Sequence, residues 1–343
     1  MTKWRAIQRQ HVVPRHRHSS MLLSAVVLIS SLVASAPTSS GQGRQRAESA
    51  ESKVELRTQL VTCDVSVQDR SGRYVSGLER SSFALFEDNV RQEIAFFSTG
   101  DEPITIGIVL DVSGSMKRWF PGAIEALNRF AETCAPDDEF FVITFSDRPA
   151  LFCDFTRDAG TAFNTLTLAT PDGSTTLVDA AMLGLEKAQF GTHRRRALLV
   201  ISDGQDNKSR YSFEELAERA AEADVLVYAI GIVDLLRRGP SGREEYDEAW
   251  RLSTGRTMLK KIAESSGGRA FLPHRREQLI EACIDIALEL RSQYRLGYYP
   301  SRLQRDGRFH RLRVTVDQPR DGKRWKVRTR KGYHAPAPTP APS

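Results

Sequence analysis

Hydrophobic residues follow two different periods along this chain, and the change between them separates a central region from two flanks. Four continuous apolar runs in the centre are typical of strands buried on both faces of a parallel sheet; they cover residues 104–110, 140–145, 197–201 and 225–230. Between these runs, apolar residues recur every three or four positions, which indicates helices with one buried face. Strands that alternate with helices predict an α/β fold with a doubly wound, mostly parallel sheet.

Three further segments complete the predicted centre. Residues 151–155 follow the preceding strand too closely for a crossover helix, so we expect an antiparallel edge strand there. Residues 270–272 are predicted to form a short strand, which brings the sheet to six strands. Residues 234–256 have no clear period and are interpreted as an inserted loop, and the basic run Arg194–Arg196 as a solvated loop.

The flanks, residues 54–100 and 293–334, have the alternation of strands with one buried face. Because β-rich segments lie on both sides of the centre, we expect them to combine into one small β-domain. The polar phase of the C-terminal flank is basic, at Arg311, Arg313, Lys326, Arg328 and Arg330. Such a row could meet an anionic polymer or a membrane surface. A solvated outer face is the favoured interpretation, since alternation places polar residues outward.

The N-terminus has the pattern of an export signal. Residues 1–36 begin with basic residues and no acid, continue with an apolar stretch from Met21, and end in Ala34-Ser35-Ala36, a small-x-small cleavage pattern. The apolar stretch is short for a membrane span, which needs about 20 residues; an uncleaved anchor is the alternative. We expect a signal peptide at 1–36, a flexible linker at 37–53 and a disordered Pro/Ala tail at 335–343. The mature chain would lie in the periplasm, in the cell envelope or outside the cell, without an integral membrane span.

Charge and cysteine content narrow the classes of partner and cofactor. The formal charge of the 343 residues is +6, but residues 1–36 carry five of the positive charges, so the rest of the chain is close to neutral at +1. Nucleic acid is therefore not an expected partner. The four cysteines (Cys63, Cys134, Cys153 and Cys283) have no zinc-ligand spacing. They allow three complete disulfide pairings; Cys134–Cys153 is one hypothesis, and buried free thiols are the alternative.

Oxygen-bearing side chains are concentrated in three turns of the central region. Asp111, Ser113 and Ser115 follow the strand at 104–110, Thr175 precedes a helical pattern, and Asp203 follows another buried strand. Because ligands of open α/β sheets gather at the carboxyl ends of the strands, we expect these side chains to surround one cation. Such hard oxygen donors suit Mg²⁺, with Mn²⁺ or Ca²⁺ as alternatives, and are wrong for zinc or copper. An isolated Asp-x-Ser-x-Ser is often only a turn or a cap, but three such segments in order favour a metal site.

These turns resemble the metal-ion-dependent adhesion site of the von Willebrand factor type A domain family. The matching residues are Asp111-Val-Ser113-Gly-Ser115-Met116, Gly173-Ser174-Thr175 and Ser202-Asp203-Gly204. The resemblance covers about residues 101–292. It implies a Rossmann-like domain that holds Mg²⁺ and lets an acidic residue of a partner complete the coordination. Ser174 stands where the family usually has a second glycine, and Thr176 offers a second hydroxyl beside Thr175.

The flanks resemble those of a bacterial exported subfamily. The matching segments are Val75-Ser-Gly-Leu78, Phe83-Ala-Leu-Phe-Glu-Asp88, Phe96-Phe97, Leu296-Gly-Tyr-Tyr-Pro300 and Arg330-Lys-Gly-Tyr333. These segments are less specific than the three turns, and they imply no known activity.

Three classes of function compete for the predicted site. The resemblance implies a non-enzymatic module for protein binding or cell adhesion, whose metal binds an Asp or Glu of a protein ligand. A structural envelope component would use the metal only to hold its loops. A metal-assisted hydrolase would need a general base, for which Asp206 is the only candidate in these turns. We expect Asp206 and Asn207 to support the loops instead, and we expect binding rather than catalysis.

Overall fold

The computed structural model describes residues 60–232, 242–301, 306–317 and 324–336, which all belong to one compact unit. The predicted signal peptide and linker lie outside the described residues, as do positions 54–59 of the N-terminal flank and 337–343 of the tail. Of the predicted tail, Ala335 is buried, and its N–H donates to the Arg308 carbonyl oxygen at 2.9 Å.

The central region consists of alternating strands and helices. Its strands are β5 (Ile104–Asp111), β6 (Glu139–Phe145), β7 (Pro149–Thr156), β8 (Arg195–Ser202), β9 (Leu226–Gly231) and β10 (Ala270–Phe271). Its helices are α1 (Phe120–Thr133), α2 (Ala159–Thr165), α3 (Leu177–Ala188), α4 (Phe213–Glu222), α5 (Gly242–Ser266) and α6 (Arg276–Ser292).

The flanking strands precede and follow this region. The N-terminal ones are β1 (Val61–Gln68), β2 (Phe83–Glu87), β3 (Val90–Gln92) and β4 (Ile94–Ser98). The C-terminal ones are β11 (Tyr294–Tyr298), β12 (Phe309–Val316), β13 (Lys326–Arg328) and β14 (Gly332–His334).

The central sheet has six strands in the order β10-β9-β8-β5-β6-β7. All neighbours are parallel except β7, which pairs antiparallel with β6. The six-stranded, mostly parallel sheet is therefore confirmed, together with its antiparallel edge strand. All eight residues of β5 are buried, as expected for an apolar run in the middle of a sheet covered on both faces.

Helices cover both faces of this sheet, as the doubly wound prediction requires. One face packs against α1, α2 and α6, and the other against α3, α4 and α5. The predicted stripes are buried: Leu127 and Phe130 of α1 and Cys283 and Ile286 of α6 point into the same core. Within the described residues, no helix has both the length and the apolar content needed to cross a membrane.

Two segments of the centre differ from their predictions. The segment interpreted as an inserted loop, 234–256, is helical from Gly242 onward. Its sequence is rich in charged residues with good helix propensity, so a helix forms without the apolar period that would reveal it; residues 233–241 lie outside the described part. The Arg194–Arg196 run is not a solvated loop either, because β8 begins at Arg195 and this side chain is buried.

The flanks form two four-stranded sheets, with the orders β13-β1-β11-β4 and β14-β12-β2-β3. Each sheet joins the two flanks, since β1 pairs antiparallel with β11 and β2 pairs antiparallel with β12. Alternate apolar residues of both sheets share one core, which includes Val65, Leu85, Leu296 and Val314. The small β-domain built from N- and C-terminal segments is therefore confirmed.

A buried polar cluster around Glu289 of α6 joins the β-domain to the central region. The fully buried Glu289 carboxylate accepts hydrogen bonds from Ser66 Oγ (2.9 Å) and Tyr228 OH (2.8 Å), and it pairs with the Arg328 guanidinium. Arg328 also donates to the carbonyl oxygens of Gly267 and Gly268, both at 2.9 Å. These contacts link β1 and β13 to α6, to β9 and to the end of α5.

The basic row of the C-terminal flank is consequently split. Arg311, Arg313 and Lys326 are exposed, as a solvated face predicts. For Arg328 and Arg330 that interpretation is wrong: Arg328 contacts Glu289, and Arg330 donates to the Thr62 carbonyl oxygen. The reason is tertiary, because β13 pairs with β1 and the Arg328 side chain reaches α6 and the Gly267–Gly268 turn.

All four cysteines are free in the structure, so the Cys134–Cys153 disulfide is absent. Cys63 and Cys283 are buried. Burial raises the pKa of the Cys63 thiol to about 11 and that of the Cys283 thiol to about 12. These two thiols are therefore protonated at neutral pH and belong to the core.

Candidate metal centre

Three turns meet at the carboxyl edge of the central sheet. β5 ends at Asp111, and the neighbouring parallel strand β8 ends at Ser202. Because Leu110 lies opposite Ile201 in the register, Asp111 and Ser202 leave the sheet side by side. The third turn precedes α3 and joins the first, since Gly114 N donates to the Gly173 carbonyl oxygen at 3.2 Å. The topology thus brings together the segments in which the sequence predicts metal ligands.

Asp111 is held from both sides. Its Oδ1 accepts the Ser113 N–H at 2.8 Å, and its Oδ2 accepts the Ser202 hydroxyl at 2.6 Å. Its side chain is fully buried. These two bonds fix the orientation of the carboxylate before any ligand binds. The role of Ser202 was not predicted, although its place at the end of a strand beside Asp111 is readable once the strand order is known.

The two serines of the first turn present their hydroxyls together. Ser113 Oγ and Ser115 Oγ are 3.0 Å apart, and the short 3₁₀ turn at Gly114–Met116 produces this approach. Ser113 is almost fully buried. The i, i+2 spacing therefore places two neutral oxygen donors next to each other and next to the backbone that fixes Asp111.

The structure distinguishes the two adjacent threonines of the third turn. The Thr176 hydroxyl donates to the Ser146 carbonyl oxygen at 3.0 Å. The Thr175 hydroxyl makes no hydrogen bond within the described part of the chain, whereas its main-chain N–H donates to Asn207 Oδ1 at 3.0 Å. Of the two threonines, Thr175 is therefore the one whose hydroxyl is unused within the described residues, and its role as a ligand stays a prediction.

Asp203 completes the set from the turn after β8. It is largely buried, and its Oδ1 accepts the Gln205 N–H at 3.1 Å. Gly204 has a φ of +83°, and a Cβ on Gly255 of α5 would lie 1.9 Å from the Gly204 carbonyl oxygen. Only glycine at both positions allows α5 to pack this closely against the turn that carries Asp203.

Two buried carboxylates dominate the electrostatics of the site, and the charge of Arg256 acts on one of them, Asp203. Burial, and secondly the charge of Asp203, raise the pKa of Asp111 to about 7. In the described part of the chain, neither carboxylate forms an ion pair with a Lys, Arg or His side chain. A bound cation would remove the repulsion between the two carboxylates. The donor set of two carboxylates and three hydroxyls fits Mg²⁺, Mn²⁺ or Ca²⁺, which are bound through oxygen.

The donor set lacks the Cys and His ligands that zinc and copper prefer. Among the described residues, no group of three or more His, Cys, Asp or Glu side chains could hold a metal ion. The candidate centre has only two such residues, and hydroxyl groups make up the rest. The structure thus brings five oxygen-bearing side chains together at the carboxyl edge of the central sheet.

One protein-family model matches this region of the sequence. Residues 106–205 match the model of the von Willebrand factor type A domain. This matched region contains all five predicted ligands. The chain contains a type A domain. No curated protein sequence matches the chain.

The solved structures that share this fold have low sequence identity to the present chain. An aerotolerance-related membrane protein from Bacteroides fragilis is 18% identical, with 55% of this chain and 98% of that chain covered and a TM-score of 0.41. BatB from Bacteroides thetaiotaomicron is 20% identical, with 54% and 98% covered and a TM-score of 0.41. The vWF domain of the type V pili tip protein Mfa5 from Porphyromonas gingivalis is 13% identical, with 54% and 94% covered and a TM-score of 0.41. Similarities of this size carry no argument about what the present chain binds.

Asp206 and Asn207 hold the turns of the type A domain in place. Asp206 Oδ2 accepts the Val178 N–H (2.8 Å) and the Ser209 hydroxyl (2.6 Å), and its Oδ1 accepts the Ser209 N–H (3.1 Å). Asn207 Oδ1 accepts the Thr175 N–H. The expected loop-supporting role is confirmed, and Asp206 does so by capping the first turn of α3.

Ser174 stands where the family usually has a second glycine. It fits at the rim of the site without a clash. Its N–H donates to Asp147 Oδ1 at 3.1 Å, and Lys208 Nζ pairs with the same oxygen at 2.8 Å. The preceding Gly173 has a φ of +85° and lies close to the Asp147 side chain. The turn therefore keeps its one obligatory glycine, and Ser174 does not obstruct the candidate centre.

Proposed function

We propose that this chain is an exported, non-enzymatic protein-binding module whose type A domain binds an acidic residue of a partner protein through Mg²⁺. Asp111, Ser113, Ser115, Thr175 and Asp203 would hold the ion, and Mn²⁺ or Ca²⁺ would suit the same donors. The observation that carries the proposal is the fixed and buried Asp111 carboxylate beside Asp203, with no ion pair to a protein cation at either one in the described chain.

The charge balance of the site favours an acidic ligand. Two carboxylates neutralise the formal charge of a divalent ion, while the three hydroxyls add no charge. Mg²⁺ prefers six oxygen ligands and usually keeps waters, so a carboxylate from outside the chain can occupy a remaining position. When bound, the ion would supply a Lewis-acid contact to that carboxylate, and the residues of this chain would orient and hold the ion.

Two lysines on the same turns add to the attraction for an acidic partner. Lys117 pairs with Asp172 at 3.6 Å, and Lys208 pairs with Asp147 at 2.8 Å. All four side chains are more than half exposed. Because exposed ion pairs contribute little to stability, carboxylates on a ligand surface can replace the aspartates as partners of these lysines. A patch of several acidic residues would therefore bind better than a single one.

Catalysis is the less favoured alternative. A metal-assisted hydrolase needs a general base within reach of a metal-bound water. The Asp206 carboxylate, the only candidate, accepts three hydrogen bonds from the loop and from α3. Its displacement would expose the first turn of α3, so it supports the loop and does not act as a base.

Calorimetric titration of the purified protein with Mg²⁺ tests the metal site. Thr175→Ala and Thr176→Ala form a matched pair of adjacent threonines, only one of which has an available hydroxyl. We expect the native protein to bind one Mg²⁺, Thr175→Ala to bind about tenfold more weakly, a difference of about 1.4 kcal/mol, and Thr176→Ala to bind as the native protein does. Asp111→Ala should abolish binding, with circular dichroism as the check of folding.

The metal site would be refuted by a folded native protein that binds neither Mg²⁺, Mn²⁺ nor Ca²⁺. Equal affinity of the two threonine variants would exclude Thr175 as a ligand. The first result would leave the motif as loop scaffolding in a protein with another function.

Selection from a displayed peptide library tests the binding function itself. On the Mg²⁺-loaded protein we expect enrichment of peptides that contain Asp or Glu, and loss of their binding in chelator and in Asp111→Ala. Peptides that bind equally well with and without metal would contradict the proposal and favour a metal that only holds the loops. Fractionation of cells that express the full chain tests export; a protein confined to the cytoplasm would contradict that part.

A further inference from the structure

A cavity lined by both charged and apolar side chains lies at the amino edge of the central sheet, away from the candidate metal centre. Its volume of 410 Å³ is within the range of small-molecule sites, about 300–1,000 Å³. Strand starts of the central sheet and the β-domain both line it: Arg195 opens β8, Pro103 precedes β5, and Thr62 and Arg295 belong to β1 and β11. The cavity is therefore a product of the joint between the two parts of the molecule.

Guanidinium groups dominate the charge of this cavity. Arg194, Arg195, Arg196 and Arg295 line it, against the two carboxylates of Glu102 and Asp224. Four positive charges and two negative ones leave a surplus of two positive charges. Such a lining is unfavourable for a cationic ligand and attracts an anion.

Two of these arginines are already used to build the wall. Arg195 donates to the carbonyl oxygens of Gly100, Glu102 and Leu290 at 3.1, 3.2 and 2.8 Å. Arg295 pairs with Asp224 and donates to Thr62 Oγ1 at 3.1 Å. Both side chains are buried, so they fix the shape of the cavity.

The other two arginines have unused hydrogen-bonding capacity. Neither Arg194 nor Arg196 forms an ion pair within the described part of the chain. The buried Arg196 Nε has no hydrogen-bond partner there. A buried donor without an acceptor is unfavourable, and an acidic group in the cavity would supply the acceptor.

Part of the remaining wall is apolar. The apolar side chains of Leu60, Phe96 and Pro103 also line the cavity. An inorganic anion would leave this surface without a partner. A molecule with both an apolar body and an acidic group would use the two kinds of wall at once.

We propose that this cavity binds a small organic anion, whose acidic group is held by Arg196 and Arg194 and whose apolar body packs against Leu60, Phe96 and Pro103. The site is separate from the type A domain's metal centre and does not depend on the metal. The Arg194–Arg196 run, whose sequence predicts a solvated loop, thereby has a role in binding.

Benzoate is a suitable probe, and benzyl alcohol, which has a similar ring and no charge, is its control. In ligand-observed NMR with the full chain we expect saturable benzoate binding with a dissociation constant of about 1 mM and no saturable binding of benzyl alcohol. Arg196→Gln should weaken benzoate binding about tenfold, while Arg313→Gln, an exposed arginine of β12, should leave it unchanged. Chelator should have no effect.

The same titration followed by the arginine Nε–Hε resonances of the native protein needs no variant. Benzoate should shift the Arg196 signal, which keeps the test valid if Arg196→Gln does not fold. Absence of a saturable shift, equal binding of benzoate and benzyl alcohol, or equal loss in Arg196→Gln and Arg313→Gln would overturn the proposal. Failure of this experiment would leave the metal-site proposal intact, because the two sites share no residue.

Discussion

Two buried carboxylates in this molecule have opposite surroundings. Glu289, at the joint with the β-domain, and Asp111, at the carboxyl edge of the sheet, are both fully buried. Burial opposes the charge of Glu289, but the Arg328 and Arg269 charges outweigh it and lower its pKa. Burial and the Asp203 charge act together at Asp111 and raise its pKa to about 7. Within the described residues, Glu289 therefore has a counter-charge and Asp111 does not.

The difference separates a structural acid from a binding one. The Glu289 carboxylate also accepts hydrogen bonds from Ser66 and Tyr228, so its hydrogen-bonding capacity is used by the fold. Asp111 is fixed as firmly, by Ser113 and Ser202, but its charge is left uncompensated. A folded protein tolerates such a charge where a ligand offsets it, which is why perturbed acids mark candidate sites.

The largest expected effect comes from neutralising the structural acid. Glu289→Gln would leave the Arg328 guanidinium, whose side chain is 24% exposed, without its counter-charge. Breaking a buried ion pair costs about 3–5 kcal/mol. We expect a loss of this size in the free energy of unfolding, measured by urea denaturation. Metal binding should be unchanged in the fraction that folds.

Glu264→Gln is the matched control for this change. Glu264 of α5 also pairs with a basic residue of the C-terminal flank, Lys331, at 3.4 Å, but both side chains are largely solvated. We expect a loss of less than about 1 kcal/mol. Equal losses in the two variants would show that the Glu289 cluster is not a special joint between the two parts of the molecule.

Neutralising Asp111, the buried acid of the candidate metal centre, should not lower the free energy of unfolding of the metal-free protein. Without metal, Asp111→Asn removes the repulsion with Asp203, so we expect the free energy of unfolding to be unchanged or higher. At an Mg²⁺ concentration 100 times the dissociation constant, the native protein should gain about 2.7 kcal/mol, and Asp111→Asn should gain nothing. The measurement is urea denaturation with and without Mg²⁺. A metal-free Asp111→Asn protein as unstable as Glu289→Gln would contradict the comparison.

The smallest effect concerns His310 of β12, a buried group whose counter-charges lie on solvated loops. Its Nδ1 lies 2.8 Å from Asp88 Oδ2, and its Nε2 lies 3.3 Å from Asp306 Oδ1. Burial lowers the pKa of His310, but the bonds and charges of these two aspartates outweigh it, so the pKa is raised. The resulting stabilisation is complete below the unfolded pKa of about 6.5 and is lost as the pH rises through the folded pKa.

Urea denaturation at pH 5.5 and pH 8.5 measures this contribution. The free energy of unfolding should fall less between these two pH values in His310→Gln than in the native protein. An identical pH dependence in the two proteins would show that the His310 bonds do not stabilise the protonated ring.

The pattern of apolar and polar residues correctly predicted those strands whose burial is regular along their length, either continuous or alternating. The strands β5 and β6 lie between two layers of helices, so every position is buried and most residues are apolar. From Arg311 to Val316 the alternation of β12 likewise matches its exposed and buried positions. The first turns of α5, from Gly242, have no apolar period in their sequence, so the pattern did not predict this part of the helix.

The candidate site was predictable in its members and not in its internal contacts. Asp111, Ser113 and Ser115 follow from one turn after one strand, and Thr175 and Asp203 from two further turns whose oxygen-bearing side chains the sequence analysis placed at the same edge of the sheet. The choice between Thr175 and Thr176, in contrast, depends on the Ser146 carbonyl oxygen, which comes from the β6–β7 turn. The bond from Ser202 to Asp111 depends on the pairing of β5 with β8.

The sequence by itself determined the α/β class, the antiparallel edge strand, the joining of the flanks into a β-domain and the oxygen donors at the end of β5. Each of these was inferred from the pattern of apolar and polar residues within single segments and from the order of those segments along the chain. Only the tertiary structure decided which buried charges are compensated. Arg328 meets Glu289 across 39 positions and Ser202 meets Asp111 across 91. Such pairings arise from strand order and packing, because a residue's own segment carries no information about which distant segment will lie against it.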